Sequence, residues 1–211
     1  SFPTRRSSDL TNSKRRRCFI DGVYPTHIQR GRGCTIYDDK GNQWTDYICG
    51  LGANLFGYAN PQIQSAIEKQ LHNGITHSLP TTIEVEFAEK ICETFPYIQQ
   101  VRLLKTGSEA CSAALRIARA ATGRMFIASE GYHGWHDEFT SLTPPAFGVH
   151  ECSHIHKLEF DKIDSNYAAV IVEPIMLNNS KERIQWLREL RRICTEKEIV
   201  LIFDETITAY R

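Results

Sequence analysis

No stretch of this 211-residue chain is apolar for long enough to cross a bilayer as a helix, which takes about 20 residues. Neither sign of charge is in excess: 25 basic and 25 acidic side chains give a formal net charge of zero. That balance removes the electrostatic basis for a nucleic-acid or anionic-membrane partner. Cysteine occurs seven times, at 18, 34, 49, 92, 111, 152 and 194, and never with C-x-x-C spacing. An odd, scattered set argues against a disulfide framework and against a thiolate zinc site. No signal-peptide pattern opens the sequence, so the expectation is a reduced, cytoplasmic protein. Internal repeats and low-complexity segments are absent too, and the basic run Lys14–Arg17 is short enough to be solvated surface charge.

What is present has the rhythm of an α/β protein. Residues 1–10, SFPTRRSSDL, fit nothing that follows and are similar to a translated DNA-sequencing adapter; they are expected to be non-native. Residues 33–47 predict a hairpin around the polar turn 38–42, and 50–60 a glycine-studded loop. Pro61 opens a predicted helix to about Leu71, and a second runs from Glu84 to the breaker Pro96. Beyond these, short apolar runs at 101–104, 124–129, 168–173 and 199–204 alternate with helical patterns at 109–121 and 182–197. Such alternation predicts a mostly parallel sheet with helical crossovers. The final run, Ile199 to Phe203, is continuously apolar and predicts a strand covered on both faces.

Three constellations could carry chemistry. Thr106-Gly107-Ser108-Glu109 combines a capping box with a glycine and a hydroxyl at a strand-to-helix turn, a ready seat for a phosphate or simply a well-capped helix. Glu130-Gly-Tyr132-His133-Gly134-Trp135-His136-Asp137 places an aromatic ring and imidazoles between glycines just past a strand. His133 and His136, helped by His154 and His156, would be the members of a metal set, but no predicted helix holds the first pair on one face. Glu173 and Asp204 each end an apolar strand, where open α/β sheets place ligands. An ionised acid there needs a partner, which a protonated heterocycle nitrogen, an ion pair or a helix N-terminus could supply.

The segments GNQWTDY, LKTGSEACSAALRIARAATGR, EGYHGWHD, AAVIVEPI and LIFDETITAYR, in this order, resemble the class III aminotransferases. These are fold-type I pyridoxal-phosphate enzymes, and the chain is most similar to their glutamate-1-semialdehyde 2,1-aminomutase branch. The resemblance implies an α/β large domain with a mostly parallel, truncated sheet over 61–211. Residues 11–60 would belong to the N-terminal part of a small α+β domain. By the same resemblance Gly107 and Ser108 hold the cofactor phosphate, Tyr132 stacks on the pyridine ring with His133 beside it, and Asp204 pairs with the ring nitrogen. Thr206 lies against the opposite face, where the family usually has valine; Glu173 is the wall acid of its V-E-P element. Asn178 falls near the cofactor's phenolic oxygen.

The implied chemistry moves an amino group from a small-molecule donor to a carbonyl acceptor through a Schiff base on a lysine, in a homodimer. That lysine is expected beyond Arg211, so the fragment alone is expected to be inactive; Lys105 sits on the wrong strand for the role. Leu51 stands where the aminomutase branch usually has tryptophan. This leaves open a class III aminotransferase acting on another amino acid, an amine or a sugar. A catalytically dead binding protein and a metal-dependent hydrolase are the rivals from other classes.

Overall fold

The computed structural model describes residues 20, 22–25, 27–143, 146, 148–175 and 180–210. The chain divides into two compact units with the boundary between Thr81 and Thr82. The first unit therefore takes in the helix at 61–73, which the sequence groups with the large domain.

Within the first unit, β1 (Ile28–Arg32), β2 (Thr35–Asp38) and β3 (Gln43–Thr45) form an antiparallel sheet in that order. The predicted hairpin is β2–β3; β1 is an addition the sequence did not signal. Asp38 drives the turn: its carboxylate accepts from the Lys40 and Asn42 backbone N–H groups, from Asn42 Nδ2 and from Trp44 Nε1. Helix α1 (Pro61–Asn73) starts where Pro61 predicts, with Asn60 accepting from the N–H groups of Gln62 and Ile63. Its apolar stripe Ile63, Ile67 and Leu71 is exposed.

The second unit opens with α2 (Thr82–Thr94), followed by α3 (Gly107–Thr122). It then builds a parallel sheet from β4 (Phe126–Glu130), β5 (Ile155–Lys157), β6 (Tyr167–Val172) and β7 (Val200–Phe203), in the order β5-β4-β6-β7. The short helix α4 (Asp137–Thr140) lies between β4 and β5, and α5 (Lys181–Glu196) between β6 and β7. Period-2 alternation divides the core. Ile127, Ala169 and Ile171 pack with Cys111, Leu115 and Ala118 of α3. Ala128, Val170 and Val172 pack with Leu190, Ile193 and Cys194 of α5. Helices thus cover both sheet faces, and every residue of β6 is buried. Each fully buried Leu, Ile or Val contributes about 1.5–3 kcal/mol, so β6 with the helices on either side anchors the unit.

Two expected strands differ. Residues 101–104 form no ladder among the described residues, and Leu103 and Leu104 are exposed. An apolar run becomes a strand only where a neighbour takes its backbone hydrogen bonds. β7 forms as predicted but is half-buried rather than covered on both faces. It pairs with β6 along one edge only, and Phe203 at its end is exposed. Among the described residues no helix is long and apolar enough to cross a membrane.

Candidate active site

The register of the parallel strands brings the acids together. Val172 pairs with both Glu130 and Phe203, so Glu173 and Asp204 each stand one step beyond the last ladder pair, at the carboxyl end of the sheet. The backbone continues that alignment: Glu173 N–H donates to the Glu130 carbonyl at 3.4 Å and Asp204 N–H to the Val172 carbonyl at 2.9 Å.

Helix α3 begins at the same end. Thr106 is its N-cap, and the predicted capping box is present: Thr106 Oγ1 accepts from Glu109 N–H at 3.2 Å while Glu109 Oε2 accepts from the Thr106 and Lys105 N–H groups. The N–H groups of Gly107 and Ser108 make no hydrogen bond to any described residue, as expected for the first turn of a helix. Ser108 Oγ accepts from Trp135 N–H at 3.3 Å, which leaves its own hydroxyl proton free to donate. Two free N–H groups, one hydroxyl and the positive end of a 16-residue helix make an anion seat.

Asp204 faces that seat across two short bridges. On one side Gly107 packs against Thr206: a Cβ built on Gly107 would lie 2.9 Å from Thr206 Oγ1, so any larger residue would force Thr206 to shift. Thr206 N–H in turn donates to Asp204 Oδ1 at 3.0 Å. On the other side Gly134 packs against Ser108, and its neighbour His133 places Nδ1 2.8 Å from Asp204 Oδ2. His133 Nε2 lies 3.1 Å from the Glu130 carbonyl; both this carbonyl and the Asp204 carboxylate can only accept, so the ring meets each with an N–H. Cys111 Sγ, from the second turn of α3, donates to the same Oδ2 at 3.4 Å. Burial by itself pushes the Asp204 carboxyl up. The hydrogen bonds from His133 and Thr206, with the His133 charge, outweigh burial and bring it down to about 2. Burial and the adjacent Asp204 charge push the Cys111 thiol up to about 12. The site therefore holds a buried, ionised carboxylate beside a neutral thiol.

Tyr132 is exposed at its ring, while its N–H donates to Glu173 Oε1 at 2.7 Å. Gly131, at φ +110°, leaves room for that oxygen, which a Cβ would approach to 2.7 Å. Of the residues singled out in the sequence, Gly107, Ser108, Tyr132, His133, Glu173, Asp204 and Thr206 all lie in this cluster. Asn178 lies outside the described residues. The histidines weighed as a metal set are not gathered: His133 faces Asp204, His136 Nδ1 meets Ser112 Oγ at 2.8 Å, and His156 Nδ1 meets Tyr167 Oη at 2.8 Å. A different trio, Cys111, His133 and Asp204, has one ligand-type atom each within 4.8 Å of the others, and its mutual hydrogen bonds account for that closeness.

Cys111 and Ser112 are the site neighbours that sequence reasoning missed. Ser112, one turn past Ser108, also donates to Glu138 Oε1 at 2.5 Å and so ties α4 to α3. The i, i+4 spacing of the two serines was the available signal.

Comparison with known proteins agrees with this geometry. Residues 21–154 match the family model described as aminotransferase class III. Over 213 residues the chain is 36% identical to a glutamate-1-semialdehyde 2,1-aminomutase of Methanococcoides burtonii, covering 89% of this chain and 50% of that protein. The aminomutase of Archaeoglobus fulgidus is 35% identical, with 89% and 50% covered. Among solved structures, an omega-transaminase from Sphaerobacter thermophilus superposes with a TM-score of 0.77 at 30% identity, over 90% of this chain and 50% of that one. A β-phenylalanine aminotransferase from Variovorax paradoxus gives 0.78 at 28% identity, over 92% and 48%. The chain spans about half the length of the curated relatives it matches. With the family model covering well over half its length, and the parallel sheet, capped α3 and strand-end acids in place, the chain belongs to the class III aminotransferase family.

Proposed function

We propose that this chain supplies the phosphate and ring-nitrogen side of a pyridoxal-phosphate site in an enzyme that moves amino groups. The observation that carries this is the pairing of a buried, ionised Asp204 with the open N-terminus of α3, joined through Gly107–Thr206 on one side and Ser108–Gly134–His133 on the other. An anion seat and a carboxylate that retains its charge when buried fit a ligand with a phosphate at one end and a protonatable heterocycle at the other. When bound, that cofactor supplies an electron sink to a carbon bearing an amine.

The chain's own residues do the rest. Gly107 and Ser108 bind the phosphate by two N–H groups and a hydroxyl. Asp204 would hold the proton on the ring nitrogen, and His133, Cys111 and Thr206 hold Asp204. Tyr132 and Thr206 would flank the ring of that cofactor. Glu173 fixes the Tyr132 backbone.

The substrates are a small-molecule amino donor and a carbonyl acceptor. Relatives named as glutamate-1-semialdehyde 2,1-aminomutases favour the aminomutase reaction, and Leu51 together with the transaminase structures keeps a class III aminotransferase of another substrate as the second reading. A homodimer follows from the family reading, and a cytoplasmic setting is supported by the six described cysteines, all free thiols.

Binding measurements test the reading. Wild-type protein should bind pyridoxal phosphate and, more weakly, inorganic phosphate. Ser108→Ala should weaken both; Asp204→Asn should weaken pyridoxal phosphate while leaving phosphate nearly unchanged. Equal responses of both ligands to Asp204→Asn would remove the ring-nitrogen assignment.

A further inference from the structure

Arg183 stands where helix physics disfavours it. It occupies the first turn of α5, where Ser180 Oγ accepts from its N–H at 3.1 Å, and a cation at that end opposes the helix dipole. Its guanidinium has a different set of partners. Nη1 and Nη2 donate to Glu130 Oε1 and Oε2 at 3.0 and 2.8 Å, a bidentate fork. Nη2 also donates to the Glu173 carbonyl at 2.6 Å, and Nε to the Pro174 carbonyl at 3.0 Å. Cζ lies 4.0 Å from the centre of the Trp186 ring, which stacks on Phe160. The group is largely buried and spends four donor contacts on two strand ends.

Those strand ends are the two anchors of the Tyr132 loop. Glu130 is the last residue of β4, and its carbonyl meets His133 Nε2. Glu173 follows β6, and its carboxylate takes the Tyr132 N–H. Between them runs Gly131, in a backbone conformation that only glycine adopts freely and that by itself resists displacement little. The link is held by what grips Glu130 and Glu173, and one planar cation grips both.

We propose that Arg183 is a positioning residue for cofactor binding: acting through Glu130 and Glu173, it fixes the height and angle at which Tyr132 is presented to the ring. The proposal rests on the pyridoxal-phosphate reading above. It predicts that Arg183 serves the ring and not the phosphate, whose donors belong to α3. It also predicts that lysine is a poor substitute, since an ammonium cannot span both carboxylate oxygens and a carbonyl in one plane.

The experiment compares dissociation constants for pyridoxal phosphate and for inorganic phosphate in wild type, Arg183→Met, Arg183→Lys, Glu130→Gln and Tyr132→Ala. Arg183→Met keeps the stem over Trp186 and removes the fork. It should weaken pyridoxal phosphate by about tenfold, the scale of one lost aromatic stacking contact, and phosphate by less than about twofold. Arg183→Lys and Glu130→Gln should fall on the same side with smaller losses; they keep the test alive should the methionine variant fail to fold. In the Tyr132→Ala background the Arg183→Met effect on pyridoxal phosphate should shrink towards zero, because both changes remove one interaction.

Parallel loss of both ligands, or full additivity with Tyr132→Ala, would overturn the positioning role while leaving the cofactor reading intact. Wild-type protein that binds phosphate but not pyridoxal phosphate would overturn the reading itself, and this proposal with it.

Discussion

Replacing Gly134 with alanine tests the contact on which the anion seat depends. Gly134 sits at φ +106°, and a Cβ there would lie 2.2 Å from Ser108 Oγ, 2.7 Å from its Cβ and 2.8 Å from its Cα. The hydroxyl could rotate away, but Cα is backbone at the first turn of α3 and moves only if the helix start moves. Two costs therefore add: about 1–3 kcal/mol for an alanine held at positive φ, and about 1–3 kcal/mol for the overlap, giving a loss of about 2–6 kcal/mol. Gly123→Ala isolates the first cost. Gly123 has φ +70° at the carboxyl end of α3, and nothing lies within 4 Å of a Cβ built on it. It should lose about 1 kcal/mol. The assay is equilibrium urea unfolding of both variants, followed by Trp135 and Trp186 fluorescence, with phosphate affinity measured in parallel. Gly134→Ala should lose the larger stability increment and most phosphate affinity, and Gly123→Ala should bind phosphate normally. Equal stability losses with unchanged phosphate binding in both would refute the Gly134–Ser108 packing and the seat built on it.

Acid stability reports on Asp204. Its folded carboxyl titrates at about 2 against an ordinary 3.8, so its contribution of about 2 kcal/mol is complete above pH 4 and disappears as the pH falls through 2; Asp204→Asn should flatten that limb of the stability curve, and an identical limb in the variant would count against the depressed carboxyl. Among the described cysteines, exposed Cys34 should react rapidly with a maleimide in the native protein. Buried Cys111, raised to about 12, and buried Cys194 should react only on unfolding, as peptide mass spectrometry would show. Leu115, fully buried between α3 and the sheet, should cost about 2–5 kcal/mol on change to alanine. Exposed Ile117→Ala, on the opposite face, should stay within about 0.5 kcal/mol of wild type; comparable losses would contradict the assigned face of α3.

Much of the site was legible along the chain because its parts are local. A capping box occupies four consecutive residues, so Thr106 and Glu109 announced the start of α3 before any contact was known. The apolar run at 168–173 was long enough to name a buried strand, and β6 is the most buried element of its sheet. Periodicity failed where the outcome depended on a neighbour. Residues 101–104 carry three apolar side chains of four, yet only β7 lies beside β6 and forms a ladder. β5 has three residues and owes its existence to pairing with β4, so no pattern of its own marked it.

Composition and local pattern thus determined the secondary structure of the long elements, the glycines needed for close approach and the positions of acids at strand ends, since each depends on residues within a turn or two. Tertiary structure alone decided which groups meet. Asp204 reaches His133 across 71 positions and Cys111 across 93, because the strand order β5-β4-β6-β7 aligns those ends. Arg183 reaches Glu130 across 53 for the same reason. A side chain's charge and size are written in the sequence, but whether it is a solvated cation or a buried clamp depends on what the fold places within 3 Å of it.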